Sequence, residues 1–153
     1  MELVSAGGMR RLPLAEFIVG NRKTARRPDE MLVSVIVPRE LEHARSAFLK
    51  LGARRYLVIS IAMVAAAVKA DGAGRVAAAR IAVGSCSVTA RRLLELEADL
   101  VGARSSAGLG ALASPEHLQR LSPIDDVRAT AAYRHDAALT LVRRALEACV
   151  EKR

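Results

Sequence analysis

The sequence predicts an α+β fold, and three observations carry the prediction. Arg45–Leu51, Leu57–Val68 and Val76–Cys86 are runs of strand-forming residues in meander order, with Asp71-Gly-Ala-Gly74 as the turn between the last two. Beyond Thr89 the pattern becomes helical and ends in the stripe Ala138, Leu139, Val142, Ala145, Leu146 and Cys149, spaced as one helix face requires. Ahead of the meander stands a separate stretch of short strands punctuated by Gly and Pro. A chain of 153 residues can bury a core with an appendage, and we divide it into residues 1–40 and 41–153.

Glu2–Ser5 and Met9–Leu12 flank Ala6-Gly-Gly8, which predicts a β-hairpin. Pro13 suits the first position of a short helical turn through Phe17 that Gly20 ends. A polar, arginine-rich loop follows to Pro28, then a strand Leu32–Val37 closed by Pro38. In the central strand both alternating faces are apolar: Val58, Ala62, Val64 and Val68 on one, Ile59, Ile61, Met63 and Ala65 on the other. Such a sheet needs cover on two sides, one by the chain's own helices and the other by a different domain or subunit. Gly84 marks a bend or bulge in the third strand.

The last third reads as helices. Thr89 is the expected N-cap of a helix running to Val101, with Gly102 as its stop. Ser105–Ala113 is a small-residue linker, and Ser114-Pro115 opens a short helix to Leu121. The final helix runs from Thr130 to Val150. Asp125 and Asp126 before it read as caps at the positive end of its dipole, with Arg128 and Arg134 as partners of these acids or of Tyr133.

Composition narrows the chemistry. The net charge of +8 and pI near 10.5 suit an anionic partner, but the arginines stand in scattered pairs rather than one block. Aromatics make up 3% and are dispersed, which disfavours stacking on single-stranded nucleic acid. Gly108-Leu-Gly110 lacks the third glycine and the strand of a dinucleotide fingerprint. His43, His117 and His135 have no ligand spacing, so no metal site is expected, and no nucleophile is poised for catalysis. His135-Asp136 reads as a solvated pair on the helix surface. Cys86 and Cys149 read as small buried hydrophobes, too few for an iron–sulfur cluster, and fit a reducing, cytoplasmic setting. The apolar run from Tyr56 to Val68 is shorter than the ~20 residues of a membrane span, and no signal peptide opens the chain.

Six segments, taken in order, resemble the flavin-binding (medium) subunit of the molybdenum hydroxylases, the family of carbon monoxide dehydrogenase and xanthine dehydrogenase. They are Pro13-Leu-Ala-Glu-Phe17 with Gly20, Arg22 and Thr24; Pro28-Asp-Glu-Met-Leu32 to Val37-Pro38; Ala47-Phe-Leu-Lys-Leu-Gly-Ala-Arg-Arg55; Asp71-Gly72 with Ala79–Gly84; Glu97 with Leu100 and Gly102; and Asp125-Asp-Val-Arg128 with Tyr133-Arg134. The resemblance implies that residues 1–40 are the closing hairpin and strand of an FAD-binding domain. It implies that 41–153 form a three-stranded antiparallel sheet on a helical bundle.

FAD is the implied cofactor, with Leu32 packing near the flavin and Lys50 contacting it. The 2Fe–2S clusters and molybdopterin are expected on an iron–sulfur small subunit and a molybdenum large subunit. The glycine-rich half that holds the FAD pyrophosphate has no counterpart here, so a longer protein or a separate polypeptide is expected to supply it. Tyr56 departs from the small or acidic residue expected after the arginine pair. A subunit-assembly module without catalysis and a basic nucleic-acid-binding domain are the alternative readings.

Overall fold

The computed structural model describes residues 1–151. They form two compact units, Met1–Glu40 and Leu41 onward.

In the first unit β1 (Glu2–Ser5) pairs antiparallel with β2 (Gly8–Arg11) through the expected hairpin. One turn of helix, α1 (Leu14–Phe17), follows Pro13. Gly20 does not end this helix. It closes a short strand, β3 (Ile18–Gly20), which pairs with β4 (Lys23–Thr24) inside the predicted loop. Arg22 turns this hairpin at φ 55°, a conformation no pattern of residue types announces. β5 (Met31–Ser34) adds to the other side of β1 and is shorter than predicted, stopping before Val35. The unit buries Leu3, Phe17 and Glu30. Glu30 is fully engaged: Arg10 Nε and Nη2 donate to its two oxygens at 2.5 and 2.8 Å, and Arg27 N donates at 2.7 Å. Chiefly through the Arg10 bond, its carboxyl is held at about 2, below the ordinary 4.5.

The second unit is built on β6 (Arg45–Leu51), β7 (Ala62–Ala70) and β8 (Val76–Gly84), an antiparallel meander with the two-residue edge strand β9 (Arg91–Arg92) beside β8. β6 has the predicted bounds. β7 begins five residues later than expected: Leu51 pairs with Ala62, so Gly52 to Ile61 form a long connecting loop. The loop is as apolar as a strand, and this is why the pattern misplaces the boundary. Asp71 Oδ1 fixes the β7–β8 turn by accepting from the N–H groups of Ala73 and Arg75. The register irregularity lies at Lys69/Ala70 rather than at Gly84.

Alternate residues of the sheet meet two different environments. Leu49, Val64 and Val83 stand in one cross-strand row and Ala47, Ala66 and Ile81 in the next, all facing the helices. The opposite face carries Ser46, Phe48 and Lys50 on β6, Ala65, Ala67 and Lys69 on β7, and Arg80 on β8. This second side is therefore mixed and alanine-floored, where the sequence predicts a wholly apolar surface. Val58, Ile59 and Ile61, counted toward its two faces, belong to the loop.

α3 (Ala131–Val150) lies across β6 and β7, and α2 (Leu94–Leu100) against β8. All six residues of the predicted stripe on α3 are buried. Thr130 caps α3 by accepting from Tyr133 N at 3.2 Å. Thr89, in contrast, caps nothing. Arg91 and Arg92 are drawn into the sheet edge, and α2 starts at Leu94. Glu97 explains the choice: its buried carboxylate accepts from Ile81 N at 2.9 Å and pairs with Arg92, so a strand N–H at the edge is satisfied by a helix side chain.

The 105–113 stretch is not a free linker. It contains a 3-10 turn, Leu109–Leu112, pressed against α3. Glu147 on α3 accepts from Gly108 N at 3.0 Å and Gly110 N at 2.7 Å. Ser114 opens a second 3-10 turn, Pro115–Leu118, capped with His117. His135 is not part of a solvated pair, because its Nε2 lies 3.2 Å from Leu118 O.

A Cβ at Gly110 would fall 2.4 Å from Arg143 O, whereas one at Gly108, at φ 93°, would touch nothing. Gly110→Ala is expected to cost about 2–3 kcal/mol by overpacking and Gly108→Ala only about 1 kcal/mol by backbone strain. Urea unfolding followed by circular dichroism should return this order.

Candidate functional site

At one end of the second unit three segments converge: the Gly52–Ile61 loop, the residues after β8, and the turn before α3. Gly52 lets the loop fold back on itself, since a Cβ there would meet Val58 Cγ1 at 2.4 Å. Two cations then hold the loop's carbonyls. Lys50 Nζ donates to Val58 O at 2.7 Å, and Arg54 Nη2 donates to Leu57 O at 2.6 Å. Leu57 sits at φ 48°, which costs a residue with a Cβ about 1–2 kcal/mol. Its side chain is nevertheless 93% exposed. Arg55 lies over the Tyr56 ring, 5.2 Å from its centre.

Beneath the loop lies Arg134, buried to 3% exposure. Its Nη1 donates to Ile61 O at 2.7 Å and, more weakly, to Ser85 O at 3.4 Å, and its Nη2 donates to Asp126 Oδ1 at 2.6 Å. One guanidinium thus ties all three segments to α3. Its Nε is buried without a partner, so the remaining bonds carry the whole desolvation cost. Asp126 also accepts from Arg128 N and Arg128 Nη1, both at 2.8 Å. Chiefly through the Arg128 N–H, with Arg134 and Arg128 side chains adding, its carboxyl is held at about 2 against an ordinary 3.8. Asp125 caps α3 separately, accepting from Ala131 N at 2.5 Å. A shallow depression of about 360 Å³ opens between the loop and Arg128. A second, of about 350 Å³, lies on the outer sheet face beside Phe48.

Of the residues singled out from the sequence, Lys50 stands on the outer face of β6, exposed, with its ammonium anchored to the loop. Leu32 stands on β5 of the first unit, opposite Leu3, and is partly exposed. The two belong to different units. Sequence reasoning has Arg54 only as one of the closing arginines and Leu57 only as the start of a strand, so it misses their part in the loop; the one signal for it is Gly52, placed where a strand would otherwise continue. It anticipates the pairing of Arg134 with the acids but not its hold on Ile61. Cys86 and Cys149 are buried free thiols whose pKa values burial pushes up, so neither is activated. Among the described residues no three His, Cys, Asp or Glu side chains group to hold a metal, and no helix is long and apolar enough to cross a membrane.

The Asp126–Arg134 pair gives an ordered expectation. Removing Asp126 leaves a buried guanidinium without its carboxylate, whereas Arg134→Met also removes the orphaned Nε. Asp126→Ala should therefore lower the thermal midpoint more than Arg134→Met. Because the folded-state pKa of Asp126 is depressed, its contribution is complete above its unfolded value of 3.8 and fades as pH falls toward about 2. Asp126→Asn should consequently lose less stability than the parent chain between about pH 4 and pH 2.

Known proteins place this architecture. Residues 47–149 match the family described as CO dehydrogenase flavoprotein C-terminal domain. The chain is 33% identical over 142 residues, 93% of its length, to the 6-hydroxypseudooxynicotine dehydrogenase complex subunit alpha of Paenarthrobacter nicotinovorans. It is 40% identical over 75 residues, 47% of its length, to the nicotinate dehydrogenase FAD-subunit of Eubacterium barkeri. The chain spans 48% of the first relative and 25% of the second.

Among solved structures, quinoline 2-oxidoreductase from Pseudomonas putida 86 superposes with a TM-score of 0.84 at 25% identity, covering 98% of this chain and 51% of that one. A carbon monoxide dehydrogenase from Hydrogenophaga pseudoflava gives 0.79 at 26% identity, covering 97% and 51%. The match over 47–149 takes in the meander and its helical cover, and the chain belongs to the family of CO dehydrogenase flavoprotein C-terminal domains.

Proposed function

We propose that this chain forms part of the FAD-binding subunit of a molybdenum hydroxylase, contributing one wall of the flavin site and a surface for partner subunits. The reading rests above all on the match of its second unit to flavoprotein C-terminal domains, alongside a relative named as an FAD-subunit. In this reading residues 1–40 are the closing part of an FAD-binding domain. A glycine-rich half holds the pyrophosphate. An iron–sulfur subunit carries 2Fe–2S clusters, and a molybdenum subunit carries molybdopterin and the substrate pocket. The chain alone oxidises nothing.

Lys50 and Leu32 fit their proposed roles on chemistry that each displays. One of the three ammonium N–H groups of Lys50 is spent on Val58 O, which fixes the head and leaves two donors for a ring carbonyl or a phosphate oxygen. Leu32 offers an apolar, partly exposed side chain suited to the flank of an aromatic ring. FAD, when bound, would supply a carrier that exchanges single electrons with 2Fe–2S clusters and electron pairs with a two-electron partner. The protein's part is to bind it, orient it and hold its neighbours. Two buried free cysteines suit a reducing, cytoplasmic location.

The test is the visible spectrum of the chain assembled with its FAD-binding half. Stoichiometric flavin absorbance is expected. Lys50→Met should weaken FAD retention on the order of 10-fold, the worth of one charge-assisted hydrogen bond, and Leu32→Asp should do so as well. A colourless assembly would leave a docking role alone.

A further inference from the structure

We propose that the first unit folds on association: its three-stranded sheet closes only when the row Met9, Val4 and Met31 is covered by the flavin-binding half that lies outside the match to the relatives. This deepens the flavoprotein reading above, which supplies the identity of the partner. The structure shows the closed form, and that form is short of cover. Leu3 and Phe17 are the buried apolar side chains of Met1–Glu40, against the continuous core that runs from Ala62 to Cys149 in the second unit. Val4 pairs with Met9 on one side and Met31 on the other, so the three side chains form one row on a single sheet face. They are 36%, 62% and 68% exposed. Beyond β5 the chain stays apolar, and Val35, Ile36 and Val37 are exposed as well. Three short strands hold together only with a covered face, and a unit of about 40 residues rarely covers its own.

The pattern of exposure selects the occupant. Leu32, next after Met31, lies on the opposite sheet face beside Leu3, and it too is partly exposed. Cover must therefore come to both faces and past the end of β5. A second copy docked about a two-fold axis brings one patch to the same patch and leaves the other sides in water. The interior of a larger domain meets all of them. β2 and β5 are also the two edges of the described sheet, so a further strand has a place to pair on either side. The relatives carry the polypeptide that fits. Nearly the whole chain, first unit included, lies inside the matched span, and that span is about half of theirs. Methionine suits the seam, because its flexible thioether adapts to the surface that arrives. The second unit has its own core and needs no such cover to hold its helices on its sheet.

The experiment is hydrogen exchange, read by mass spectrometry, on the full chain alone and assembled with its FAD-binding half. Alone, the amides of β1, β2 and β5 are expected to exchange roughly 100-fold faster than those of β7 and β8, and assembly should slow them roughly 10-fold or more. Met9→Asp/Met31→Asp should abolish that slowing and leave β7 and β8 unchanged. Val101→Asp, at an exposed site beyond α2, should keep it. Equal protection of β1 and β7 in the chain alone overturns the inference, as does a half that leaves β1, β2 and β5 fast or a double variant that is slowed like the parent. Protection that grows with the concentration of the chain alone, and is lost in the double variant, assigns the row to a second copy and overturns it too. An assembly that slows the three strands yet stays colourless with added FAD upholds the inference and overturns the flavin-binding reading.

Discussion

A guanidinium withdrawn from water must find acceptors, and the second unit is arranged around one that has done so. Arg134 sits in the first turns of α3, so its position along the sheet is set by the stripe that packs α3 on β6 and β7. From there it reaches the carbonyl before β7, the carbonyl after β8 and the carboxylate of Asp126. The hydrophobic core fixes where the helix lies, and the helix then fixes three loops that have little packing of their own. Loosening the pair would disturb the presented end of the unit while leaving Val64, Ile81, Val142 and Leu146 buried.

The two sides of the sheet divide the work. The inner side mixes Val, Leu and Ile with Ala47, Ala62 and Ala66 against α2 and α3, each fully buried Val, Leu or Ile contributing about 1.5–3 kcal/mol. The outer side has alanines for a floor and Phe48, Lys50 and Arg80 standing above it. Alanine keeps the strand surface low and close to whatever approaches, while Lys50 retains reach because its stem rises from a strand rather than a loop.

How much of this is legible in the sequence depends on what kind of physics decided each element. β6 and α3 are readable because alternation and a 3.6-residue stripe record burial directly. The caps Ser114 and Asp125 are readable because few side chains satisfy a helix start, whereas Thr130, read as the first helical residue, is the N-cap of α3. The boundary at Ala62 is not readable. Leu57, Val58, Ile59 and Ile61 carry the composition of a strand, and only the folded chain reveals a left-handed residue and a Gly52 fold-back. The failure of Thr89 as a cap has a similar origin, because Arg92 gains a buried carboxylate on Glu97 by joining the sheet edge. Lys50 and Leu32 come from family resemblance, not from any local pattern. The grip of Arg134 on Ile61 spans 73 residues and leaves no mark in local sequence.

The two thiols give the chain a built-in clock. Cys86 follows the end of β8, Cys149 lies near the end of α3, and they are 0% and 1% exposed. Each points at a main-chain carbonyl, Arg134 O for one and Ala66 O for the other. An alkylating reagent can reach either sulfur only after its neighbourhood opens. Their two labelling rates therefore time separate breathing events, one at the Arg134 end and one beneath the centre of β7, without any probe having to be engineered in.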